Sequence, residues 1–141
     1  MSSASYSPFN DALIEDFRAH GGQPSSGPFV GRPVLLLTTT GARSGQPRTA
    51  PLVYSRDGDR YVVVASKGGA PTDPAWYRNL VANPTVTVEV GTETFQARAS
   101  ALAGGAERDR LYAQHAAPMP AFLEYQRKTE RVIPVVLLER I

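Results

Sequence analysis

The chain contains no cysteine. That excludes disulfides, zinc–thiolate sites, iron–sulfur clusters and thiol nucleophiles together. Histidine is nearly missing as well, with His20 and His115 the only two. A metal centre or catalytic triad built on histidine is therefore not expected, and no metal ligands are assigned. Long apolar runs are also lacking. Those present, such as Val34 to Leu37, are strand-sized, whereas a helix needs about 20 apolar residues to span a bilayer. No basic region followed by an apolar stretch opens the chain, so no secretory leader is read and a cytoplasmic location is expected. The carboxylates are scattered, which argues against the paired acids of glycosidases and aspartic proteases.

What is present suits one β-rich domain. The chain has 141 residues, enough for one core and too few for two. Glycine and proline number 12 each, more turn-makers than a helical bundle carries. The net charge of +2 is unevenly spread. Residues 1–30 carry −2, residues 31–80 carry +4 and residues 81–141 are neutral. Thirteen of the fifteen bases are arginine, the side chain suited to forked recognition of phosphate and carboxylate. A local basic segment in a nearly neutral chain points to a discrete anionic small molecule and away from a nucleic-acid face.

The punctuation predicts an order of elements. Phe9, Leu13 and Phe17, with Ile14, form an amphipathic stripe that Asn10 or Asp11 can cap and that ends at Gly21–Gly22. Residues 1–8 are expected to fray, and residues 21–31 to form a linker. Strands are predicted over 33–40, 48–56, 60–66, 85–90, 93–103 and 133–139, with a hairpin turn at Asp57-Gly58-Asp59. Helices are predicted from Thr72 or Asp73 as cap to Ala82, over 106–116, and over 120–128. Six strands joined mostly by short turns predict a mainly antiparallel α+β fold: a small barrel with helices over its openings. Residues 1–30 then form an N-terminal helix and linker, and residues 31–141 the barrel domain.

Three segments carry chemistry. Thr38 to Arg48 (TTTGARSGQPR) sets glycines around Arg43 and Ser44, with Arg48 close behind. Glycines let backbone N–H groups approach an anion, and the arginines add charge. Read alone, the segment also fits a solvated turn with two exposed arginines. Ala65 to Leu80 (ASKGGAPTDPAWYRNL) runs a strand into a glycine loop and then a helix N-terminus holding the sole tryptophan, Trp76. A planar, electron-poor ring with carbonyl acceptors could lie there and take N–H bonds. Alternatively Trp76 and Leu80 anchor the helix to the core. Met119, Phe122 and Tyr125 share a helical face, either as core packing or as the wall of an apolar pocket with one hydroxyl. His115 has no companion acid or nucleophile and is read as a surface or capping residue. His20 is read as a partner of its helix C-terminus.

Together these phrases resemble one family. Phe17 to Gly22, Leu36 to Arg48, Val63 to Leu80, Asn83-Pro84 and Tyr125 to Pro134 look like the deazaflavin-dependent (coenzyme F420-dependent) nitroreductase family of actinobacteria. The resemblance implies a split β-barrel of the flavin-binding type, with F420 as cofactor. It implies that Arg43, Ser44 and Arg48 meet the phosphate and oligoglutamate tail. It places the ring against Pro51, the loop Ser66, Lys67, Gly68, Gly69, Ala70, Pro71 and Thr72, and the aromatics Trp76 and Tyr77. The acceptor would meet Val53, Ser66, Met119, Phe122 and Tyr125, with Ser66 and Tyr125 as hydrogen-bonding catalytic residues. Members that reduce nitroaromatics are rich in tyrosine at these substrate positions, whereas here Val53, Met119 and Phe122 are apolar. Quinones, enones and nitroaromatics are the acceptor classes. An FMN-dependent oxidoreductase on the same barrel and a non-enzymatic cofactor carrier are the alternatives. The N-terminal helix reads as a lid, since its acidity opposes attraction to anionic lipid. A monomer or a homodimer is expected.

Overall fold

The computed structural model describes residues 4–5 and 8–141. Its strands are β1 (Ala4–Ser5), β2 (Val34–Thr40), β3 (Pro47–Val53), β4 (Ser55–Asp57), β5 (Arg60–Val64), β6 (Thr85–Val90), β7 (Glu93–Leu102) and β8 (Val135–Arg140). Its helices are α1 (Pro8–Ala19), α2 (Ala75–Ala82), α3 (Ala106–Ala116) and α4 (Ala121–Arg127), with a single 3-10 turn at Lys67–Gly69. All strands join one sheet in the order β1-β3-β2-β6-β7-β8-β5-β4. Every pairing is antiparallel except the two-residue parallel contact of β1 with β3.

The sheet order fixes the curl. β3 and β4 lie toward opposite ends of the sheet, yet Tyr54 alone separates them in the chain. The sheet must therefore bend until its ends meet at that residue. A single strand over 48–56 is corrected here: residues 47–53 pair with β2, residues 55–57 pair with β5, and Tyr54 is the corner between them. The barrel is split rather than fully laddered, because β1 covers only Arg48 and Thr49 of β3's outer edge. Fraying of residues 1–8 is corrected for Ala4 and Ser5, which pair with Arg48 and Thr49. For residues 1–3 and 6–7 that expectation lies outside the described residues.

Side-chain alternation explains the runs. Leu35, Leu37, Ala50, Val63, Val86, Val88, Ala97, Ala99, Val136 and Leu138 point inward and pack with Trp76 and Leu80 of α2, which plugs one end. Val34 and Leu36 point outward and are covered by Ile14 and Phe17 of α1. Val62, Val64, Val135 and Leu137 point outward beneath α3 and α4. Strands buried on both faces read as continuous apolar runs. That is why PVLLL and IPVVLL carry no alternation.

Some local expectations change. Phe9 is 64% exposed, so the buried face of α1 is Ile14 and Phe17. α1 starts at Pro8, which places Asn10 and Asp11 inside its first turn, not at its cap. α2 is capped by Pro74 and not by Thr72 or Asp73; Thr72 accepts a bond from Lys67, and Asp73 pairs with Arg131. At the other end of α1 the expectation for His20 stands: its Nδ1 donates to the Asp16 carbonyl at 2.8 Å.

His115 is not a surface residue. It is 2% exposed, because its spacing from Leu111 and Tyr112 puts it on the buried face of α3. Its Nδ1 lies 2.7 Å from the Ser55 hydroxyl, and its Nε2 has no partner among the described residues. Burial lowers its pKa to about 4. An unfolded histidine titrates near 6.5, so between those values the unfolded chain holds the extra proton. Stability from this group is complete above about pH 6.5 and is lost as pH falls toward 4. The expected loss is on the order of 3 kcal/mol. Denaturant titrations at stepped pH should show it, and His115→Phe should flatten the profile over that window.

Candidate functional site

The seam of the barrel opens into a cavity of about 680 Å³, a size typical of cofactor and ligand sites. One wall is Ala50 to Val53 of β3, where that strand's outer edge lies beyond its two-residue contact with β1. Val64 at the end of β5, then Ser66, Lys67 and Gly68, form the second wall. Pro74, Ala75, Trp76 and Arg78 at the start of α2 form the third. Met119, Ala121, Phe122 and Tyr125 close one side, while Pro28, Phe29 and Arg32 of the linker, with Asn10 of α1, close the other.

The walls differ chemically. Leu52, Val53, Phe29, Met119 and Phe122 make an apolar side, and Phe122 and Tyr125 meet edge-on with ring centroids 5.4 Å apart. Opposite stand hydrogen-bond donors. Among the described residues the N–H groups of Ser66, Lys67 and Gly68 have no partner, nor do those of Ala75 and Trp76 in the first turn of α2. Such orphan donors at a helix start favour an acceptor or an anion. The charged residues lining the cavity are Arg32, Lys67 and Arg78, with no carboxylate among them. Lys67 and Arg78 bond only to the Thr72 hydroxyl and the Asp73 carbonyl, at 3.2 and 2.6 Å, so none of the three is neutralised by an acid.

Lys67 has φ +47°, the one positive φ among the described non-glycine residues. Gly68 and Gly69 follow at +63° and +86°. Gly69 has a second constraint. A Cβ there would lie 2.7 Å from the Tyr125 carbonyl oxygen and 2.9 Å from Lys128 Cβ. The loop and α4, two walls of the cavity, are thus in backbone contact only because this residue is glycine.

The structure gathers Pro51, Val53, Ser66, Lys67, Gly68, Trp76, Met119, Phe122 and Tyr125 around the cavity. Trp76 serves both readings, being 6% exposed, part of the barrel core and part of the cavity wall. Gly69, Ala70, Pro71, Thr72 and Tyr77 stand just behind that lining, and burial beside Asp73 raises the Tyr77 phenol above its ordinary value. Arg43 and Ser44 lie on the exposed β2–β3 turn, and Arg48 on β3 two residues from the cavity. The N–H groups of Gly41, Ala42, Gly45 and Gln46 in that turn are already bonded, Ala42 to the Asn79 side chain at 3.0 Å. Its remaining anion-binding capacity is mainly in the guanidinium groups. Sequence reasoning missed Arg32 and Arg78. Arg78 follows Trp76 by two in the first turns of α2, a usable signal, whereas Arg32 reaches the cavity only through the linker's path.

The fold is thus a split barrel whose seam cavity sets cations and hydrogen-bond donors, with no carboxylate, opposite an apolar wall. The family model for F420H(2)-dependent quinone reductases matches residues 12–140, and the chain belongs to that family. An F420H(2)-dependent quinone reductase of Mycobacterium tuberculosis (strain ATCC 25618 / H37Rv) is 46% identical over 113 residues, covering 77% of this chain and 74% of that protein. Among solved structures, an F420-H2 dependent reductase, FDR-A, superposes with a TM-score of 0.70 at 44% identity, covering 77% of this chain and 95% of that one. A domain-swapped dimer superposes at 0.71 and 38% identity, covering 92% and 93%. The family is thus named for quinone reduction, where the sequence resemblance named nitro reduction. Among the described residues no helix is long and apolar enough to cross a membrane, and no cluster of metal-ligating side chains occurs.

Proposed function

We propose that this protein binds coenzyme F420 in the seam cavity and reduces a quinone there. The observation that carries the reading is the cavity's asymmetry: five residues with N–H groups unpartnered among the described residues, and three cations, line it together with an apolar wall. The donor set fits a deazaflavin, whose ring offers carbonyl acceptors and whose tail is anionic. When bound, the reduced deazaflavin supplies a hydride from C5, and a proton completes the two-electron reduction of quinone to quinol.

The chain's own residues bind and orient. The Ser66, Lys67 and Gly68 N–H groups would donate to ring carbonyl oxygens, and Trp76 would pack against the ring. Arg32 and Arg78 at the cavity would hold phosphate, and Arg43, Ser44 and Arg48 would hold the anionic tail. Val53, Met119 and Phe122 exclude water from the acceptor side and favour an apolar quinone ring over a nitroaromatic. The Tyr125 hydroxyl, without a hydrogen-bond partner among the described residues, and the Ser66 hydroxyl line the cavity and would hydrogen-bond the acceptor oxygen. Phe29 and Arg32 on the linker, with Asn10 on α1, let the N-terminal segment act as a lid. The forked Arg18–Glu89 pair, at 2.9 and 2.8 Å, ties α1 to β6. The domain-swapped relative favours a homodimer.

The test is turnover of reduced F420 against quinones, enones and nitroaromatics. Quinones should be reduced fastest, and absence of turnover with every class contradicts the proposal. Tyr125→Phe should lower kcat/KM for quinones about tenfold, the worth of one hydrogen bond, with cofactor affinity unchanged. Equal losses in both would place Tyr125 against the cofactor instead.

A further inference from the structure

Arg131 belongs to none of the three chemical segments and does not line the cavity. It lies after α4, yet its side chain makes the densest set of contacts in the loop region. Its Nε donates to the Ala70 carbonyl at 2.8 Å, its Nη1 to the Ala65 carbonyl at 3.1 Å and to Asp73 Oδ1 at 3.0 Å, and its Nη2 to the Ser66 carbonyl at 2.8 Å. One guanidinium thus spans residues 65 to 73, from the end of β5 to the threshold of α2. Arginine alone offers enough fixed donors for this, and lysine cannot reproduce the planar fork.

We propose that Arg131 is the positioning residue that presents the Ser66 and Lys67 N–H groups to the cavity. In a trans peptide the N–H points opposite to the preceding C=O. Drawing the Ala65 and Ser66 carbonyls onto the guanidinium therefore turns the N–H groups of Ser66 and Lys67 away from it. The clamp also holds the residues on both sides of Lys67, whose left-handed backbone is uncommon for a non-glycine residue. Arg131 is itself held. Gln126 of α4 donates to the Arg131 carbonyl at 2.8 Å and accepts from the Ile133 N–H at 3.0 Å. The buried Arg108 donates to the same Gln126 oxygen at 2.6 Å and to the Ile133 carbonyl at 2.9 Å. The polarity of the cavity wall is thus set from behind by a chain running from α3 through α4 to the loop.

The inference rests on the proposed cofactor reading only in what the donors receive, so its test includes the cofactor-free protein. Hydrogen exchange at Gly69 and Ala70, whose N–H groups bond the Ser66 and Lys67 carbonyls at 2.9 and 3.1 Å, and tryptic cleavage after Lys67 are measured for wild type, Asp73→Asn, Arg131→Lys and Arg131→Ala, beside F420 titrations. Exchange and cleavage should rise in that order by at least tenfold overall, and F420 affinity should fall at least tenfold in Arg131→Lys. Millimolar guanidinium should restore part of the affinity of Arg131→Ala, which a general loss of packing would not allow. Asp73→Asn removes the charge from one contact at a partly exposed site and keeps the series interpretable if Arg131→Ala does not fold. Unchanged exchange and cleavage in Arg131→Lys overturns the proposal. Failure of wild type to bind F420 overturns the cofactor reading instead and leaves the exchange series to judge the clamp.

Discussion

Replacing Arg32 and Arg78 together by glutamine is expected to weaken F420 binding by two to three orders of magnitude. A charge-assisted hydrogen bond is worth about 1.5–3 kcal/mol, or roughly 10- to 150-fold in affinity. Both guanidiniums stand at a cavity with no carboxylate to take them up when the ligand is absent. The loss should come with a flatter dependence of affinity on salt, because two of the charges that salt screens are gone. The Arg43→Gln, Arg48→Gln pair should lose about tenfold, mostly at low ionic strength, since both side chains lie beyond the cavity and act on a tail in solvent. Isothermal calorimetry at two salt concentrations separates the pairs. A larger loss for Arg43 and Arg48 would move the phosphate from the cavity to the β2–β3 turn.

Gly69→Ala is expected to dismantle the site while sparing most of the barrel. The added Cβ meets the Tyr125 carbonyl and Lys128 at distances that require backbone movement, at a φ of +86°. Overpacking and the left-handed backbone together should cost about 2–4 kcal/mol. The strain falls between the glycine loop and α4, the two walls that hold Ser66 and Tyr125. F420 affinity should therefore drop at least tenfold. Gly68→Ala is the contrast. Its φ is +63°, but nothing lies within 4 Å of its Cβ, so it should cost only about 1 kcal/mol of backbone strain. Thermal unfolding and cofactor titration of the two variants check the difference. Equal behaviour would remove the role assigned to the contact with α4.

Much of this was legible in the chain. The two hairpins, the helix after Pro74 and the runs PVLLL and IPVVLL follow from turn chemistry and apolar pattern, because those are local. The glycine loop and Trp76 also announced a site by local means. Non-local features stayed hidden. Tyr54 reads as mid-strand until two different partners compete for its neighbours. His115 is buried against elements distant in sequence, with Ser55 sixty residues away as its hydrogen-bond partner. Arg32 and Arg131 reach the loop region from distant parts of the chain, and no spacing in the sequence marks them. The absence of cysteine and the scarcity of histidine fit a redox protein whose chemistry belongs to its cofactor.

Titration of the protein with F420, followed by the fluorescence of Trp76, tests the account most directly. Trp76 is the sole tryptophan and a wall of the cavity, so a bound ring must change its emission. Saturable quenching with one equivalent is expected, shifted to at least a hundredfold higher F420 in the Arg32→Gln, Arg78→Gln protein. No change in Trp76 emission at any F420 concentration, with no heat of binding, would contradict it.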